Sequence, residues 1–174
     1  MRFRGFAAVV GAAAALIAGA PAAAQTGDLI IIMGGSSDIS DFDEDTFEGR
    51  IEYSSGLTDL PLLPFFRGVG PLAGLMVTGK GGVFAYAGIY GDFVIGDRFI
   101  IRPEGAIGAF HEGGGKDLGG VFEIHSALTF AYEFDNKARL GVTVTHISNT
   151  GGNGSNPGLD SLLLSYSIPI DPIF

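Results

Sequence analysis

The sequence predicts an all-β chain folded as an eight-stranded antiparallel barrel, and three features carry that expectation. Short runs rich in Val, Ile, Phe, Tyr and Thr recur along the chain, separated by clusters of Gly, Asp, Asn and Pro. That is the punctuation of strands and turns rather than of helices. Eight such runs occur, an even number, and most have about the ten residues that a membrane-crossing barrel strand needs. Several also sort large apolar side chains from charged or small ones at period two, the mark of a strand with two different faces.

Taken in order, the first run, 29–34, is bounded by the polar, Gly-rich stretch 35–46. The second is 47–56 and the third 63–78, the latter broken by Pro71, which has no N–H to give to a ladder. Residues 79–81 turn the chain into 82–95, and Gly96-Asp97 makes a tight hairpin turn into 99–112. After the Gly-rich stretch 113–120 comes 122–134, then the turn Asp135-Asn136-Lys137 and the run 138–148. The stretch 149–158 leads into the last run, 159–170. Connections after odd-numbered runs are polar and mostly long, and those after even-numbered runs are mostly short. This is the asymmetry of outer-membrane barrels, with 79–81 as the exception.

Composition narrows the function classes. The 174 residues include 19 acidic and 10 basic side chains, for a net charge of −9, with 29 glycines and no cysteine. Such acidity argues against a nucleic-acid partner, because that affinity comes from Lys and Arg neutralising phosphates. The absence of cysteine removes disulfides, thiolate catalysis and Cys-ligated zinc together. The mean hydropathy of +0.37 is high for a soluble domain. Part of it sits at the start, where Arg2 and Arg4 precede an Ala-rich apolar run, 6–20, and Ala22-Ala23-Ala24 offers a cleavage site before Gln25. This predicts a secretory signal peptide over 1–24, its apolar run too short to span a membrane, and one domain over 25–174. Beyond it no run reaches 18 apolar residues, so no transmembrane helix is expected.

Face analysis separates a membrane barrel from a soluble one. In 122–134, Phe122, Ile124, Leu128, Phe130, Tyr132 and Phe134 share one face, with Ser126 among them, and Glu123, His125, Ala127, Thr129, Ala131 and Glu133 share the other. In the last run Leu162, Leu164, Tyr166, Ile168 and Ile170 lie opposite Ser161, Ser165 and Ser167. A lipocalin-like barrel needs apolar residues inside, whereas this pattern fits lipid outside and a packed polar lumen. Arg102 and Glu104 share a face, as do Glu123, His125 and Glu133, so a lumenal ion-pair network is expected, since buried charges need partners. Phe174 supplies the terminal aromatic residue expected of an outer-membrane barrel.

Two motifs carry no chemistry. Gly113-Gly114-Gly115-Lys116 lacks the spacing and following helix of a phosphate loop and reads as a surface loop. Asp41, Asp43 and Asp45, with Glu52, approach a calcium-loop spacing, but Thr46 stands where that loop needs glycine, so a solvated acidic loop is expected. No metal and no organic cofactor is expected.

The seventh run holds the candidate site. By period two, His146 and Ser148 continue the outward row of Leu140, Val142 and Val144, while Arg139, Thr143 and Thr145 face the lumen. Asp160 has the outward parity of Leu162 and Leu164, and hairpin pairing brings it within cross-strand reach of His146. A hydroxyl, an imidazole and a carboxylate thus converge at one rim of the outer wall. This is the set that a Ser–His–acid hydrolase uses, with Asn149 next to the serine as a candidate oxyanion donor. The other reading is a polar rim meeting lipid headgroups, where charges cost only about 0–1 kcal/mol. On that reading the chain is a non-catalytic small barrel with a structural or adhesive role.

His146-Ile147-Ser148-Asn149, then Asn156-Pro157-Gly158-Leu159-Asp160, then residues 163–169, resemble the lipid A 3-O-deacylase (PagL-type acyloxyacyl hydrolase) family. Gly115-Lys116-Asp117-Leu118-Gly119 and residues 132–136 resemble family stretches too. The resemblance implies an eight-stranded barrel of the bacterial outer membrane that hydrolyses the ester at the 3-position of lipid A in the outer leaflet. By the same resemblance, His146 is the base, Ser148 the nucleophile and Asn149 the oxyanion residue. The family position matched by Asp160 usually carries Glu.

Overall fold

The structure, a computed structural model, describes residues 27–40, 45–56, 65–149, 151 and 156–171. Its strands are β1 (Asp28–Ser37), β2 (Thr46–Ser54), β3 (Phe66–Thr78), β4 (Val83–Ile95), β5 (Phe99–His111), β6 (Phe122–Glu133), β7 (Arg139–Ser148) and β8 (Leu159–Ile170). They form one closed barrel in chain order. β8 closes antiparallel onto β1, from Asp28 opposite Ile170 to Ser37 opposite Ser161, so no sheet edge is left open to pair with another chain. The expected signal peptide and Phe174 lie outside the described residues.

All eight expected strands are present, with three differences. β1 runs on to Ser37 through Gly35 and Ser36, which read as loop. The reason is close approach: a Cβ at Gly35 would collide with the backbone of Leu162 and Leu163 on β8, so the glycine serves a tight strand contact. Pro71 does not break β3, which is continuous from Phe66 to Thr78. The Pro71 carbonyl accepts the Ser55 N–H just where β2 has ended, so the missing proline N–H faces a position with no partner strand. The connection between β2 and β3, 55–65, is long, although it lies at the same end of the barrel as the short turns 96–98 and 134–138.

Alternation sets the two faces as expected. On β6, Phe122 is 63% exposed and its neighbour Glu123 is fully buried. The outward wall carries Ile89, Phe99, Ile107, Phe130, Val142, Val144 and Leu162 exposed. Soluble monomers rarely leave so many large apolar side chains exposed to water. A barrel in lipid does, because the strands satisfy each other's backbone and the side chains meet hydrocarbon.

The lumen is filled in two zones. In one, Arg102 donates to Asp92 (Nε to Oδ1, 2.7 Å) and stacks 3.9 Å above the Tyr90 ring, while Arg139 donates to the same Asp92 (2.7 Å) and to Glu133 (3.1 Å). The expected lumenal network is therefore present, but the partner of Arg102 is Asp92 rather than Glu104 on its own strand. Arg50 pairs with Glu48 and also donates to His125 Nε2 (2.7 Å) and to Thr145 (2.9 Å). Glu52, weighed in sequence as part of an acidic loop, lies in the lumen and accepts the Tyr86 hydroxyl at 2.9 Å.

The other zone is apolar. Met76, Phe84, Phe110, Leu118, Ile147 and Leu159 are buried together. Gly74 leaves room for the Tyr86 ring beside this cluster, where a Cβ would collide with the ring. The result is a packed plug rather than a pore, at the end of the barrel that carries the candidate site.

Candidate active site

The site is built by the β7–β8 hairpin. Antiparallel register sets His146 directly opposite Asp160, with Thr145 opposite Ser161 on the lumenal face and Ile147 opposite Leu159. His146 and Asp160 point outward, and their side chains are 49% and 39% exposed. Ile147 and Leu159 point inward and are buried in the apolar plug. The buried pair thus pins the backbone from inside while His146 and Asp160 stay on the wall.

His146 Nδ1 lies 2.7 Å from Asp160 Oδ1. A carboxylate oxygen accepts only, so Nδ1 carries the proton and donates, leaving the Nε2 lone pair free. That is the tautomer a general base needs. Ser148 is two residues further along the same outward row, and two strand residues separate their Cα atoms by roughly 6.8 Å. The structure joins the Ser148 hydroxyl to His146 by no hydrogen bond. In unliganded sites this bond is often long and tightens only around substrate.

The expected positions of His146, Ser148 and Asp160 are therefore brought together on one outward rim. Asn149 is placed differently from expectation. Its side-chain amide donates to the Leu118 carbonyl and, at 3.3 Å, to Glu123 Oε1, so in this conformation it points into the barrel mouth. Glu123, read as a lumenal ion-pair member, is instead the acceptor for that amide.

Two residues were missed as individuals in the sequence, although they lie in a quoted motif. Asn156 accepts the Asn149 backbone N–H at 3.0 Å and returns an N–H to the Asn149 carbonyl at 2.7 Å, next to Ser148 in the chain. Gly158 has φ +68°, and a Cβ there would come within 2.9 Å of His146 Cε1. Glycine is needed both for the backbone angle and to let the loop lie against the imidazole. The signal was the Asn-Pro-Gly-x-Asp spacing, whose local reason lies in contacts made across the hairpin.

Comparisons with known proteins bear on the whole arrangement. The family model for lipid A 3-O-deacylase (PagL) matches residues 78–169, a stretch that includes His146, Ser148, Asn149 and Asp160. The barrel is similar to the crystal structure of the outer membrane enzyme PagL, with a TM-score of 0.64 and 23% identity over 82% of this chain and 99% of that one. It is also similar to a transmembrane β-barrel designed de novo, with a TM-score of 0.58 and 8% identity over 85% and 98% of the two chains. At these identities the likeness to solved structures is one of fold. No curated protein sequence matches significantly.

Proposed function

This chain belongs to the lipid A 3-O-deacylase (PagL) family, and from that premise we propose that His146, Ser148 and Asp160 hydrolyse the 3-O-acyl ester of lipid A at the outer wall of the barrel. The family is one of outer-membrane ester hydrolases, and the chain is accordingly a β-barrel esterase of the bacterial outer membrane. The observation that carries the assignment of residues is the His146 Nδ1 to Asp160 Oδ1 hydrogen bond of 2.7 Å, made on the lipid-facing wall rather than in the lumen.

The His146–Asp160 bond supports the following course for the reaction. Asp160 holds the imidazole by Nδ1–H, and Nε2 takes the Ser148 hydroxyl proton as Oγ bonds to the ester carbonyl carbon. The carbonyl oxygen becomes an oxyanion. Asn149 supplies an N–H to it only after its side-chain amide turns from Glu123 in the barrel mouth toward the outer wall; one such donor is worth about 10²–10³ in kcat. Collapse breaks the ester C–O bond, and His146 returns its proton to the departing sugar hydroxyl. Water, deprotonated by the same nitrogen, then attacks the acyl-serine and releases the 3-hydroxy fatty acid, restoring Ser148.

Placement supports the substrate. Lipopolysaccharide occupies the outer leaflet, and the long-loop end of an outer-membrane barrel faces outward. Below His146 the row Val144, Val142 and Leu140 gives an acyl chain apolar wall to lie on. Lower on that wall Leu140, Val142, Leu164, Phe130 and Tyr132 line an open groove of about 560 Å³.

The test is the mass spectrum of lipid A from cells carrying the protein or its Ser148→Ala variant. Loss of one 3-hydroxyacyl chain with the parent and none with Ser148→Ala is the expected result, with both barrels showing heat-modifiable migration. An unchanged spectrum from cells with a folded parent barrel favours the structural or adhesive role instead.

A further inference from the structure

The loop between β5 and β6 reaches over the barrel mouth and touches both halves of the site. On one side, Lys116 Nζ donates to Asp38 Oδ1 at 2.9 Å. Asp38 is buried and holds φ +60°, a left-handed conformation that a residue with a side chain adopts only when its surroundings hold it there. The next residue, Ile39, donates its backbone N–H to the carbonyl oxygen of Asp160 at 3.0 Å. The ion pair therefore secures a strained turn that is bonded to the backbone of the acid itself.

On the other side, two residues after Lys116, the Leu118 carbonyl accepts the Asn149 side-chain N–H beside Ser148. The Leu118 side chain is fully buried in the apolar plug together with Ile147 and Leu159. Ile147 stands between the base and the nucleophile in the chain, and Leu159 precedes the acid. Residues 116–118 thus reach Asp160 through Asp38 and Ile39, and the neighbours of His146 and Ser148 through Ile147 and Asn149.

Resting on the reading of His146, Ser148 and Asp160 as the triad, we propose that residues 116–118 are a positioning clamp. Lys116 sets the Asp160 carboxylate through Asp38 and Ile39, and Leu118 sets the His146–Ser148 row through Ile147 and Asn149. Lys116 and Asp38 are positioning residues, because the route from either to the Asp160 carboxylate runs through backbone. The physical need is clear. The reactive pair lies on an exposed wall where its own side chains are half free, and a misplacement of about 1 Å can cost about 10²-fold in rate.

The experiment uses the full-length barrel in detergent micelles with lipopolysaccharide as substrate, comparing Lys116→Ala, Lys116→Arg and Asp38→Asn. Asparagine tolerates the left-handed conformation as aspartate does, so Asp38→Asn removes the charge and keeps the turn. Folding is read by heat-modifiable migration, reaction by kcat and KM, and the acid–base bond by the low-field proton resonance of His146 Nδ1–H. Lys116→Ala and Asp38→Asn are expected to lower kcat between about 10- and 100-fold, to change KM by less than about twofold, and to weaken the low-field resonance. Lys116→Arg is expected to restore both. Unchanged kcat in the folded variants, or a fall in kcat with the resonance intact, overturns the clamp. If Ser148→Ala is inactive in the same assay, the triad reading stands without it. Full activity in Ser148→Ala overturns the triad itself.

Discussion

Asp92 and Asp160 make hydrogen bonds of the same length to nitrogen partners, but one lies in the lumen and the other on the outer wall. Asp92 sits in the lumen with no exposed surface, and both of its oxygens are taken, by Arg102 and Arg139 at 2.7 Å. Asp160 sits on the outer wall, bonded at 2.7 Å to a histidine whose second nitrogen has no hydrogen-bond partner among the described residues. A buried pair must be saturated, because an unmatched charge there is costly. A pair at the lipid–water boundary can be left half used at little cost. The barrel thus keeps its structural ion pairs inside and the pair proposed to react outside, and saturation rather than distance tells them apart.

The difference can be broken by substitution, most severely at the outer pair. Asp160→Asn keeps the shape and removes the charge that steadies the imidazolium. In a buried soluble triad the equivalent change costs about 10⁴-fold. At an exposed rim water replaces part of the lost interaction, so kcat/KM is expected to fall by less than that. Asp160→Glu is expected to keep or raise the rate, since the rim leaves room for one more methylene. If Asn and Glu both leave the rate unaltered, Asp160 is not the acid.

Gly158→Ala disturbs the imidazole without touching its charge. The new methyl lands against His146 Cε1 on a backbone angle of +68°, and a loss in kcat of about tenfold is expected from the displaced ring. Activity equal to the parent shows that the loop yields instead of the ring. The smallest effect on rate belongs to Asp92→Asn, which leaves two buried arginines short of a partner. It is expected to lower barrel stability by about 3–5 kcal/mol, read by denaturant unfolding in micelles, with activity per folded molecule unaltered.

How much of this was legible follows the same division. Period-two alternation is local, so the eight strands and the outward parity of His146, Ser148 and Asp160 could be read directly, and a hairpin register then joined base to acid. Contacts across the lumen depend on how the closed barrel staggers its strands. No local pattern carries that stagger, which is why the sequence placed Arg102 on the lumenal face without showing Asp92 as its partner. The Asn149 amide was misaimed for a related reason: its acceptor, the Leu118 carbonyl, belongs to a different loop, and loop-to-loop contacts have no periodicity to announce them. Pro71 was read as a break because the sequence does not show that the neighbouring strand ends beside it.

A reactive pair that faces the bilayer also decides what concentration means to this enzyme. Its substrate does not arrive through bulk water but drifts along the leaflet, so encounter is a two-dimensional event governed by the fraction of lipid molecules that carry the scissile chain. Adding inert detergent or phospholipid thins the substrate around the barrel and slows turnover, although the amount of substrate in the tube is unchanged. Water, the second reactant, comes from the headgroup layer above. The same rim position that lets the acyl chain reach Ser148 from below therefore lets the hydrolysing molecule reach it from above.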